Sequence, residues 1–203
     1  MSARAGIPIR ILNGLASAHN LHPTGAYGGA RAIPSCRTIK AMASHPQRKL
    51  PDAGSRAPEF RLTRLEGGEL SLAEIRAAGP ALLAFFKVDC PVCQMTLPFL
   101  NRVYASGGLP IYGISQDDGA DTRGFMRQFG VTFPMLLDSE DADYPASNAY
   151  RISSVPTMFL VERDGTLSRV IEGWQKAEIE RLGALAGTKV FGPQDGVPAF
   201  KAG

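Results

Sequence analysis

The chain has 203 residues, of which 44% are apolar and 20% charged, enough for one ordinary domain with its own core plus a tail. The net charge of +3 hides a segregation: residues 1–50 hold Arg4, Arg10, Arg31, Arg37, Lys40, Arg48 and Lys49 with no acidic residue, so 15 of the 22 basic groups face all 19 acidic ones in the remainder. That remainder has no basic stripe with interleaved aromatics, which argues against a nucleic-acid partner, and three cysteines are too few for a disulfide-stapled secreted scaffold.

Residues 1–50, rich in Gly, Ala, Ser, Pro and Arg, show no helical or strand period and are expected to be a disordered leader. One reading takes it as upstream sequence with Met42 as the start; the other takes it as an organellar transit peptide. The first is preferred because the arginines form no amphipathic face. The expected location is cytoplasmic, or organellar if the leader is a transit peptide. No run approaches the roughly 20 apolar residues of a membrane span.

From residue 51 the pattern changes. Ala57-Pro58-Glu59-Phe60-Arg61-Leu62 alternates like a half-buried strand, turned by Gly67-Gly68. Ser71 and Glu74 form a capping-box pattern for a short helix, stopped at Gly79-Pro80. Residues 81–88 begin with the continuous apolar run of a buried strand, and a helical pattern then runs from Gln94 to Tyr104. Residues 109–115 read as a second buried strand, a helix starts at Asp121-Thr122-Arg123 and ends at Gly130, and 133–138 is a third strand. A short helix at 144–150, a hairpin of 157–161 and 167–172, and a last helix ending near Gly187 follow. Residues 188–203 read as a loose tail. This order predicts an α/β fold with a central mixed sheet flanked by helices and an N-terminal β extension.

The chemistry concentrates at Cys90-Pro91-Val92-Cys93, between the apolar strand and the helix. A helix start has unpaired N–H groups and a positive dipole end, which favour a thiolate, so Cys90 is the expected nucleophile. Cys93 follows about one turn later on the same side, able to close a disulfide. Pro91 suits a first helical position, having no N–H to leave unpaired.

At Phe85–Cys93 and Val155-Pro156-Thr157 the chain resembles the thioredoxin superfamily, in its redoxin branch of peroxiredoxin-like and TlpA-like proteins, over about residues 55–186. The resemblance implies a thioredoxin-like fold and a cis-proline at Pro156, which with Val155 and Pro91 would border the bound substrate. TlpA-like members carry a carboxylate at the end of the next strand, eight residues before an aromatic. Counting back from Phe125 gives Asp117, with Asp118 second, as the acid that moves protons to and from Cys93; the alternative is a solvated turn with helix-start charge. Peroxiredoxins place a Thr three residues before the reactive Cys, where this chain has Lys87. Phe85, Phe86, Phe99 and Phe159 read as core and Trp174 as an edge or core aromatic, while Tyr150 and Met158 would lie near the redox pair.

The function expected on this basis is thiol-disulfide exchange, with a protein or small-molecule disulfide as substrate, an external thiol as reductant and no cofactor. The alternative is a thiol peroxidase in which Cys90 becomes a sulfenic acid and Cys93 resolves it. A zinc site is disfavoured, because the further candidate ligands, Cys36, His19, His22 and His45, all lie in the leader.

Overall fold

The computed structural model describes residues 49–203. Residues 1–48 of the expected leader, with Cys36 and the three histidines, lie outside the described residues. The first strands, β1 (Arg61–Arg64) and β2 (Glu69–Ser71), form the antiparallel N-terminal extension. Ser71 then caps α1 (Leu72–Ala77) through the reciprocal Ser71–Glu74 box. The order continues β3 (Ala81–Phe86), α2 (Pro91–Ala105), β4 (Ile111–Ser115), α3 (Gly119–Phe129), β5 (Met135–Leu137), α4 (Pro145–Ala149), β6 (Thr157–Val161), β7 (Leu167–Glu172), β8 (Trp174–Gln175), α5 (Lys176–Leu185) and β9 (Phe200–Lys201). Seven strands make one mixed sheet in the order β2-β1-β5-β4-β3-β6-β7, with β3, β4 and β5 parallel to one another.

The central strand explains the layering. All six residues of β3 are buried, and side chains alternate across a strand. Leu82, Ala84 and Phe86 enter one core with Leu97 and Leu100 of α2, Phe125 of α3 and Ile179 and Leu182 of α5. Ala81, Leu83 and Phe85 enter the other, with Leu72 and Ile75 of α1 and Ala146 of α4. Burying each of the Leu, Ile and Phe side chains stabilises the fold by roughly 1.5–3 kcal/mol, so the sheet is clamped from both faces. The four expected core phenylalanines lie in these two clusters, and Trp174 is fully buried.

Several boundaries differ from the sequence reading. The first strand starts at Arg61 rather than Ala57, and the third starts at Met135 rather than Phe133. Each displaced start follows a proline, Pro58 or Pro134, that has no N–H to give a ladder. The helix expected from Asp121 begins two residues earlier, because Asp118 is its N-cap and accepts the Ala120 and Asp121 N–H groups at 2.8 Å each.

The loose tail is the main correction. Val190 and Phe191 are buried, and the Phe191 ring lies 5.0 Å from Phe99 and 5.9 Å from Trp174. The Trp174 indole N–H donates to the Pro198 carbonyl at 2.6 Å, and β9 pairs antiparallel with β8. A ring inserted between Phe99 and Trp174, with Val190 buried beside it in sequence, outweighs the irregular Gly- and Pro-rich sequence around them.

Candidate functional site

Strand register brings three segments to one end of β3. Phe86 pairs in parallel with Ser115, and Phe85 pairs antiparallel with Thr157. The residues leaving β3, those leaving β4 and those entering β6 therefore meet: Lys87–Cys90, Gln116–Asp118 and Val155-Pro156. The Gln116 N–H closes the junction on the Phe86 carbonyl at 3.1 Å.

Cys90 is the N-cap residue of α2, with extended backbone, and Pro91 takes the first helical position. Its sulfur does what a Ser or Asp oxygen does at an ordinary cap: it accepts the Cys93 N–H at 3.3 Å. Both thiols are free, Cys90 half-buried and Cys93 fully buried. Burial pushes the Cys93 thiol far above the ordinary range, and its hydrogen bond with Cys90 and the nearby Asp117 charge push it the same way. The two sulfurs are thus unequal, one at the mouth and one held neutral beneath it.

The Val155–Pro156 peptide is cis. The Cys90 thiol donates to the Val155 carbonyl at 3.3 Å, so Val155 forms the wall opposite the helix start. Pro156 is buried behind it, and Pro91 is exposed at the rim.

Asp117 is half-buried, and its Oδ2 accepts the Val88 N–H at 2.8 Å. Burial raises its pKa above the ordinary carboxylate range, partly offset by that N–H and by Lys87, and reinforced by Asp89 and Asp121. Asp118, the second candidate, faces solvent and caps α3; the solvated-turn account describes it. Tyr150 and Met158, expected near the pair, are both fully buried. Tyr150 packs between Phe60, Phe85 and Phe159, so neither side chain lines a surface.

Gln94 is a residue that sequence reasoning passed over. Its Nε2 donates to the Val88 carbonyl at 2.9 Å. The Val88 backbone is therefore pinned by α2 on its C=O and by Asp117 on its N–H. A helix-facing Gln one residue after the second Cys was visible, but nothing in its spacing pointed to a loop carbonyl. Among the described residues, no cluster of three or more His, Cys, Asp or Glu side chains comes together.

A mixed sheet between helix layers, with a dithiol at a helix start facing a cis-proline, defines a thioredoxin-like redoxin. The AhpC/TSA family matches residues 53–170, more than half of the chain, and the chain belongs to that family. It is 33% identical over 133 residues to the thiol-disulfide oxidoreductase ResA of Geobacillus kaustophilus, covering 63% of this chain and 74% of that protein. ResA of Bacillus subtilis is 30% identical over 124 residues, covering 59% and 67%. Among solved structures, a DsbE-type thiol:disulfide interchange protein of Chlorobium tepidum has a fold similar to this chain's at a TM-score of 0.57 and 24% identity, over 66% of this chain and 94% of that one. The chain is an oxidoreductase of the redoxin branch.

Proposed function

We propose that the chain exchanges dithiol for disulfide through Cys90 and Cys93. The Cys90 thiolate attacks a substrate disulfide, forming a mixed disulfide and expelling one substrate sulfur as a thiolate. The Cys93 thiol then gives its proton to Asp117 and attacks the Cys90 sulfur. The second substrate sulfur leaves as a thiolate, and the two substrate thiolates take up protons. Two electrons have passed to the substrate, and Cys90–Cys93 is left as a disulfide for an external thiol to reduce.

The observation that carries this reading is the inequality of the sulfurs: Cys90 caps the helix at the surface, while buried Cys93 is held neutral until needed. Asp117 supports the second step, since its charge acts on Cys93 and its own raised pKa lets it accept a proton. The similarity to proteins named thiol-disulfide oxidoreductases agrees with it. The peroxidase alternative has no comparable support, because the residue three before Cys90 is Lys87 rather than Thr.

The test is a Cys93→Ser chain in a Cys36→Ser background, incubated with oxidised insulin and weighed intact. Cys90 should accumulate as a mixed disulfide that the parent chain resolves. A mass unchanged from the unreacted chain would overturn the proposal.

A further inference from the structure

β9 pairs alongside Trp174, and residues 202–203 continue from it towards the mouth of the dithiol site. The Lys176 N–H holds the Ala199 carbonyl at 2.9 Å, and Lys201 pairs with Trp174. Beyond that, the backbone runs against Gly173, where an added methyl would stand 2.4 Å from the Lys201 carbonyl and 2.9 Å from the Gly203 nitrogen. Gly203 then reaches the cis-proline wall: a methyl there would lie 2.5 Å from the Val155 carbonyl oxygen. That oxygen is the one 3.3 Å from the Cys90 sulfur. All four residues are exposed, Phe200 at 60%, so backbone contacts rather than buried side chains hold the segment.

A disulfide fixes its two Cα atoms about 4.4–6.8 Å apart. Any substrate cysteine joined to Cys90 must therefore bring its own backbone close to the Val155 wall. A small disulfide has no flanking chain to place there; a folded protein does. We infer that residues 200–203 are a strap along this wall which determines specificity: it admits small disulfides and must swing aside before a protein disulfide reaches Cys90. This deepens the exchange reading and rests on it for what it implies about substrates, but access to the sulfur can be measured without turnover.

The experiment compares Cys90 labelling in the Cys36→Ser chain, the same chain cut after Ala199, and the same chain carrying Gly203→Val. The cut keeps the Pro198 partner of Trp174, and Gly203→Val puts a side chain where the Val155 carbonyl leaves no room. Each is labelled with iodoacetamide and with a maleimide bearing a long polyethylene glycol chain. The ratio of bulky to small labelling rates should rise about tenfold in both variants, which is what a few exposed backbone hydrogen bonds can hold closed. An unchanged ratio overturns the strap, and so does a parallel rise of both rates, because reactivity rather than access would then have changed. If neither the intact nor the cut chain reduces insulin or a small disulfide, the exchange reading fails, while the labelling ratio still decides the strap.

Discussion

At the scale of single residues, the site works by giving two identical side chains and one carboxylate different surroundings. Asp117 is the member whose surroundings make a pH-dependent prediction. Burial raises its pKa in the fold, so the folded chain holds the Asp117 proton more tightly than the unfolded chain does. The resulting stabilisation is complete below the unfolded-state value and is lost as pH rises through the folded one. Catalysis runs the other way, because only the ionised carboxylate can take the Cys93 proton. Turnover should therefore fall on the acid side through a limb lying above the ordinary Asp range. Asp117→Asn should remove that limb and lower kcat while leaving alkylation of Cys90 largely intact. A pH–rate profile of insulin reduction beside the iodoacetamide labelling rate measures both, and an Asn variant that keeps the parent profile would exclude Asp117 from the proton path.

At this scale, the sequence was most informative where covalent structure dictates the role. The Cys90/Cys93 spacing and Pro91 point to a helix start whatever packs around them. Asp117 required a resemblance to be singled out, because Asp117 and Asp118 are chemically identical until one becomes a helix cap and the other folds back onto the Val88 N–H. Burial keeps Tyr150 and Met158 from lining a docking surface, which spacing could not show, because position along the fold does not say which face of an element a side chain takes. Both turn inward to the cores.

Among the elements, α2 and α3 are the two whose starts build the site. The start of α3 is fixed by Asp118, whose carboxylate takes two backbone N–H groups in the first turn. Asp118→Ala should cost about 1 kcal/mol, the ordinary value of such a cap, read as a lower urea midpoint with unchanged slope. The Cys90 labelling rate should stay at the parent value, since Asp118 faces solvent away from the sulfur's hydrogen bonds. A large loss of labelling would mean that the turn carrying Asp117 moves with the cap. The alternation of strands and helices was legible because each buried strand is a continuous apolar run between turn residues. The boundaries were not, because hydrophobic alternation continues through Pro58 and Pro134 whereas hydrogen bonding does not.

For the molecule as a whole, the notable feature is how far residues 188–203 extend its core. Their apolar residues are scattered among glycines and prolines with no period of 2 or 3.6, so pattern reading finds nothing there. Packing reveals them: Phe191 completes an aromatic group with Phe99 and Trp174, and the Arg102 guanidinium lies 4.5 Å over the Phe99 ring and pairs with Asp195. Phe191→Ala should cost about 3–5 kcal/mol, as truncating a buried ring does, measured by denaturant unfolding. A loss below about 0.5 kcal/mol, typical of a surface change, would mean that the segment is not part of the cooperative unit.

Trp174 is the only tryptophan in the chain. Its indole is sealed against α2 by Phe99, capped by Phe191 and bonded to Pro198 just before the strap. The protein thus carries an intrinsic fluorophore at the root of the segment that guards its thiols, and a red shift of its emission would report that root loosening in real time, with no label added.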